Sequence, residues 1–370
     1  MFLAVTVLAI SYSCSKMEKD LSPQAVSLQL PEIPFDYSTI QGANVTMLPG
    51  GLTGVDNNIA TLGRVLFYDK NLSVNNAISC GSCHKQSIAF SDNVDFSPGF
   101  QNHSTLRNTL PIQNISNTFV LNSFQQFGNP SLFWDGRADF LQTMVLMPIV
   151  NHVEMGMNDQ NGIVEKVKSK SYYKDLFIKA YASSEINIEN ISQALSSFVS
   201  SIFSANTRFD KYQMGQTQLN GLEEQGRLLF FNKYNCNSCH QTQQLNGYQM
   251  GGGFVNIGLE SNYIDKGFEN VSHNTADNGK FKIPNLRNIT LTGPYMHDGR
   301  FKTLNEVLDH YSHGIANSPA LDVRLRASNG QPMKMNITDQ EKTAIIAFLN
   351  TLTDYTMITD QKYSNPFKAQ

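Results

Sequence analysis

Several things are scarce in this 370-residue chain. It has five cysteines, and four of them fall in two short motifs, which leaves only Cys14 and excludes the disulfide framework of a small secreted domain. Basic residues do not dominate: 28 Lys and Arg stand against 31 Asp and Glu, and no segment gathers a basic stripe, so nucleic acid is not an expected partner. Low-complexity tracts are missing, and the composition is that of an ordinary globular protein, long enough for two or three domains with cores of their own. Strand-like alternation is rare, which points to a mainly α fold. The apolar run at the N-terminus, Phe2 to Ile10, is too short to span a bilayer and reads as an export signal. Gly251 to Gly253 is followed by no Gly-Lys-Ser/Thr, so it reads as a turn and not a phosphate loop. His152, His273 and His313 have no partners at metal-ligand spacing.

What the chain does contain is the motif CxxCH, twice: Cys80-Gly81-Ser82-Cys83-His84 and Cys236-Asn237-Ser238-Cys239-His240. A structural zinc needs four ligands, and no second cysteine pair stands near either motif. A thioredoxin-like redox pair would sit in a βαβ context, and none is visible. Haem attachment accounts for all three residues at once: the two thiols add across the porphyrin vinyl groups as thioethers, and the adjacent histidine is carried under the ring to the iron. The sequence therefore predicts two covalent c-type haems, on Cys80/Cys83 and Cys236/Cys239, with His84 and His240 as proximal ligands. Such haems are attached outside the cytoplasm, in agreement with an export signal. The occupant of each sixth iron position then decides between an electron carrier and a peroxide or oxygen catalyst.

The segments leading into the motifs repeat one another. "LGRVLFYDKNLSVNNAISCGSCH" and "QGRLLFFNKYNCNSCH" each place Gly-Arg, two aliphatics and Phe on an apparent helix before the clamp. The two motifs lie 156 residues apart, so two domains of one cytochrome-c-like kind are expected. The reading is an export segment over 1–20, a proline-spotted linker over 21–44, domains over 45–205 and 206–360, and a tail over 361–370. Small residues around Cys14 resemble a bacterial lipobox, whose cysteine is lipidated after cleavage; the alternative is an exported protein with an incidental cysteine. Helical faces are predicted at Ile59, Leu62 and Leu66, at Leu222, Leu229 and Phe230, and at Ile191, Leu195, Phe198 and Ile202. Others fall at Leu304, Val307, Leu308 and Tyr311, and at Ile345, Phe348, Leu349 and Leu352 after a capping box at Thr338 and Glu341.

Beyond the clamps the chain carries "LRNT" (106–109), "FWDGR" (133–137), "PIVNHVEMG" (148–156), "IPNLRNITLTGPYMHDGRF" (283–301) and "LDHY" (308–311). In this order and spacing it resembles the bacterial di-haem cytochrome c peroxidase family, which includes MauG, over about residues 45 to 355. The resemblance implies a peroxidatic N-terminal haem fed with electrons by the C-terminal one. Glu154 then matches the distal glutamate, which takes a proton from the inner oxygen of hydrogen peroxide and returns it to the outer one. Trp134, the sole tryptophan, matches an electron relay between the haems, with core packing as its plain alternative. A calcium ion between the domains is implied at Asn108, Thr292 and Pro294. Also implied are a small c-type cytochrome or similar donor, a periplasmic location and a homodimer.

Three positions depart from the family pattern. Phe100 stands where many members carry a removable distal histidine, with His103 nearby but out of register. Met144 replaces a common glutamine ten residues before Glu154, leaving Gln142 as the substitute. Tyr311 stands where electron-donating members place a methionine ligand for the second haem; MauG-like members have tyrosine there, and Met296 is the alternative, with His310 a remote one. The leading expectation is a peroxidase. A MauG-like oxidase modifying a protein or small molecule through ferryl iron is the second, and a pure electron carrier the third.

Overall fold

The computed structural model describes residues 27–39, 55–115, 132–240 and 253–367; Cys14 and the export segment lie outside them. Two helix pairs organise the molecule. In the first, helix Asn57–Tyr68 crosses helix Ile188–Ser201. Asp56 caps the former by accepting from the amides of Asn58 and Ile59, and Asn187 caps the latter. Leu62, Leu66, Phe67, Ile191, Leu195 and Phe198 meet between them at 0–1% exposure, each burial contributing about 1.5–3 kcal/mol.

The second pair repeats the first. Helix Gly221–Leu228 packs on helix Asp339–Asn350, and both start with a complete capping box, Asn220 with Glu223 and Thr338 with Glu341. Phe209, Phe230, Phe231 and Phe348 form the core there. The repeated Gly-Arg now has a geometric reason. A Cβ on Gly63 would lie 1.9 Å from the Ala194 carbonyl oxygen, and one on Gly226 would lie 1.8 Å from that of Ala344. Only glycine lets either pair of helices approach so closely.

Some expectations change. Leu222, predicted on the buried face, is 44% exposed in the first turn of its helix; Leu229 and Phe230 are buried as expected, and Phe231 joins them where the helix continues as a π-turn over Leu229–Lys233. The described part of the expected linker is no loose tether, since Tyr37 is fully buried in the first core. The expected tail also packs there. Tyr363 is buried, Tyr68 donates to the Tyr363 carbonyl at 2.6 Å, and Arg64 Nε donates to the Ser364 carbonyl at 2.6 Å. Apolar side chains within polar, proline-rich stretches (Leu28, Phe35, Tyr37) supply the burial that draws these ends onto the domain.

Buried polar links tie the halves together. Asn288 donates to Gln113 at 2.6 Å, and Asp354 accepts from the amides of Ala205 and Asn206, both at 3.0 Å. The single described sheet is two-stranded, pairing Phe254–Val255 antiparallel with Phe281–Lys282.

Candidate functional site

The first clamp is a one-turn helix, Cys80–Cys83, opened by Ser79, whose amide donates to the Ser82 hydroxyl oxygen at 3.0 Å. Turning the chain at this point brings His84 back beneath it, its amide donating to the Cys80 carbonyl at 2.8 Å. His84 Nδ1 donates to the Phe90 carbonyl at 2.8 Å, which fixes the tautomer and leaves Nε2 with its lone pair for a metal. The second clamp has the same shape: the His240 amide donates to the Cys236 carbonyl at 2.9 Å, and His240 Nδ1 donates to the Pro284 carbonyl at 3.2 Å. Burial pulls both imidazoles below their ordinary range, His240 to about 4, which favours the neutral form that can ligate a metal.

The residues fit a thioether-bound haem. All four cysteines are free thiols and not disulfides, and among the described residues no three of His, Cys, Asp and Glu converge on a bare metal site. Burial pushes the Cys80 thiol up to about 12 and Cys83 to about 11, which keeps both protonated and unreactive by themselves.

Glu154 lies beside the first clamp. Its carboxylate adds to the upward shift of both Cys80 and Cys83, and its own pKa is raised by burial while Arg137 pulls it down. Asn151 Nδ2 donates to Glu154 Oε1 at 3.4 Å. Phe100 is adjacent: its amide donates to the carbonyls of Val153 and Glu154 at 2.8 and 2.9 Å. His103 is exposed and closes a short turn. Met144 is buried in the core and Gln142 is exposed with no bond to Glu154, so Asn151 fills the place that Gln142 was expected to take.

Trp134 stands at the junction of the halves. Its indole Nε1 donates to the Asn108 carbonyl at 2.8 Å, and its own carbonyl accepts from the Lys282 amide at 2.8 Å. The next residue, Asp135, pairs with Arg107 at 2.6 Å, and Arg107 also grips Asp265 at 2.7 Å. Asn108 is buried, and its amide donates to the His297 carbonyl at 2.7 Å; His297 stacks on Phe281 with centroids 3.7 Å apart. Asn108 Nδ2 donates to the carbonyls of Val94 and Asp95. Asp95, Asn93, Thr290, Gly293 and Pro294 line a cleft of about 320 Å³, with Thr292 buried next to it. Lys302 also reaches this cleft and pairs with Asp95.

Tyr311 sits on a π-turn, His310–Gly314, that follows helix Leu304–Asp309. Burial pushes its phenol above the ordinary range, and the neighbouring thiols of Cys236 and Cys239 act in the same direction. Tyr311 is thus close to the second clamp. His310 is turned to other work, its Nε2 donating to the Ile257 carbonyl at 2.9 Å. Met296 is half-buried in the turn closed by the Tyr295 amide and the Phe301 carbonyl, with φ +73°. Arg300 is bound to Asp298 and Glu260.

Two residues escaped the sequence reading. Asn151 touches Glu154, and Arg137 supplies the cation that opposes its upward shift. Arg137 is the last residue of "FWDGR", packed over the Phe133 ring at 3.7 Å, so its place in a motif was visible but its partner was not.

A family model described as di-haem cytochrome c peroxidase matches residues 57–218, and one described as cytochrome c matches residues 223–353. The methylamine utilization protein MauG of Methylorubrum extorquens is 33% identical over 79% of this chain and 77% of its own. The cytochrome c551 peroxidase of Nitrosomonas europaea is 32% identical over 91% of this chain and 92% of its own. The crystal structure of a MauG-like protein associated with microbial copper homeostasis superposes with a TM-score of 0.71 at 32% identity, covering 84% of this chain and 94% of that one. With two cytochrome c units, each bringing one CxxCH clamp and so one c-type haem, the chain belongs to the di-haem cytochrome c peroxidase and MauG family of oxidoreductases.

Proposed function

We propose that the protein reduces hydrogen peroxide to water at the first haem, using electrons delivered through the second from a small c-type cytochrome or similar donor. The bound haems supply an iron to receive peroxide and a store of electrons. The rest is the work of the chain. Glu154 takes the proton from the inner peroxide oxygen and returns it to the outer one, so that the bond between them breaks with water as the leaving group. Arg137 opposes the upward pull of burial on the Glu154 carboxyl, and Asn151 orients it. Phe100, whose backbone amide is bonded to the Glu154 carbonyl, puts an apolar residue at the position where a histidine would compete with peroxide. Trp134, bonded to backbone on both sides of the junction, passes the electrons. Two electrons and two protons per peroxide give two waters.

The observation that carries this reading is the partly buried carboxyl of Glu154 beside the first clamp, with Phe100 next to it. A high-spin ferric signal from the protein as isolated, followed by peroxide turnover with reduced cytochrome c, is the expected result. Two low-spin irons would instead make the protein an electron carrier.

Tyr311 favours a second reading. Tyr311 would hold the second iron through its phenol oxygen, a hard donor that would favour oxidised iron and disfavour simple electron delivery, which suits a MauG-like oxidase acting on a protein or small molecule. Failure to turn over reduced cytochrome c, with peroxide still consumed, would select it. The reading also includes a calcium ion held near Asn108, Thr292 and Pro294, the last of which lines the junction cleft. Export to the periplasm, a lipid on Cys14 and a homodimer complete the proposal. No helix among the described residues is long and apolar enough to cross a membrane.

A further inference from the structure

The two clamp histidines are held in different ways. His240 finds its acceptor 44 residues away, at 3.2 Å. His84 finds its acceptor six residues ahead, at 2.8 Å, on a short loop with an unfavourable backbone. Ala89 and Phe90 adopt φ of +50° and +59°, a region that residues with a Cβ avoid, bulky ones most of all. The loop is closed by backbone bonds from the Lys85 amide to the Ser91 carbonyl and from the Phe90 amide to the Lys85 carbonyl. Outside these, the side chains at its two ends meet: Lys85 Nζ lies 2.5 Å from Asp92 Oδ1. Asp92 is 1% exposed and has further donors, the Ser97 hydroxyl at 2.8 Å on Oδ2 and the Asn93 amide at 2.8 Å on Oδ1. Ser97 in turn lies 2.8 Å from the Thr109 hydroxyl. The carboxylate is therefore an anchored post, and Lys85 is the arm that reaches it.

We propose that Lys85 and Asp92 form a clasp that fixes the Phe90 carbonyl against His84 Nδ1 and thereby sets how strongly His84 donates to the first haem iron. The inference rests on the haem reading of the first clamp. Both are positioning residues, acting through the loop. A hydrogen bond from Nδ1–H to a fixed acceptor makes Nε2 a better donor, which favours ferric iron; loosening the acceptor weakens the donor and raises the reduction potential.

The test is a redox titration of both haems in the loaded protein, with the iron–histidine stretch of the reduced first haem read by resonance Raman, in wild type, Lys85→Met, Lys85→Arg and Asp92→Asn. Two haem waves in the wild type establish the underlying reading independently of the variants. The clasp predicts that Lys85→Met and Asp92→Asn both raise the first-haem potential. The expected shift is about tenfold in the ratio of reduced to oxidised iron, which is about 59 mV for a one-electron couple. Both also lower the stretch frequency, Lys85→Arg keeps wild-type values, and the second haem does not move. A through-space charge effect would instead send the two variants in opposite directions, because one removes a cation and the other an anion. Opposite shifts, or none in Lys85→Met, whose side chain is 40% exposed, overturn the proposal.

Discussion

Replacing Gly226 by alanine tests whether the repeated Gly-Arg marks two helix crossings. The new Cβ would lie 1.8 Å from the Ala344 carbonyl oxygen, 2.5 Å from its carbon and 2.9 Å from Phe348 Cβ. Reaching a tolerable 3.0 Å from the oxygen requires the helices to part by about 1.2 Å, and the obstacle is backbone, which cannot swing aside. Overpacking of this size belongs at the upper end of its usual cost, about 3 kcal/mol. The better helix propensity of alanine returns about 1 kcal/mol. The net expectation is a loss of about 2 kcal/mol, or about 4–8 °C in Tm for a domain of this size. A thermal scan following haem absorbance reads it. The second haem should be perturbed first, because its clamp follows directly from this helix through the π-turn at Leu229–Lys233. Gly63→Ala should do the same at the first haem, where the Cβ would lie 1.9 Å from the Ala194 oxygen. A Gly226→Ala protein melting at or above the wild-type temperature would refute the close-crossing argument.

Other outcomes follow from the site. Glu154→Gln should lower kcat/KM for peroxide by about 10²–10⁴ while both haem spectra stay unchanged, as expected for loss of a general acid–base; stopped-flow kinetics read it. Arg137→Met should move the acid limb of the pH–rate profile to higher pH. Burial already holds the Glu154 carboxyl above its ordinary range and Arg137 opposes this, so without the cation the carboxylate needs a higher pH to ionise. A limb that stays put or moves to lower pH would contradict that pairing. Tyr311→Phe should change the spectrum of the second haem and leave the first alone; an unchanged second haem would remove Tyr311 from its coordination.

The clamps and the helical faces were legible because each is local. CxxCH fixes thiols and imidazole within one turn, and the Thr338–Glu341 box announces its helix. Less legible was anything decided by contact across the chain. Arg137 and Asn151 earn their places only once a buried Glu154 stands beside them, and nothing in the local spacing reports that. Leu222 was misplaced because an apolar period does not report that it falls in the exposed first turn of its helix. Residues 361–367 looked like a tail because their anchoring bonds go to Arg64, Tyr68 and Ser201, all far away in sequence.

The whole scheme requires porphyrin to be bonded to Cys80/Cys83 and to Cys236/Cys239. Intact-mass measurement of the exported protein, followed by peptide mapping, asks this directly. The expected result is a polypeptide heavier by two haems, with one on each clamp peptide. A bare polypeptide mass with four alkylatable thiols would contradict it.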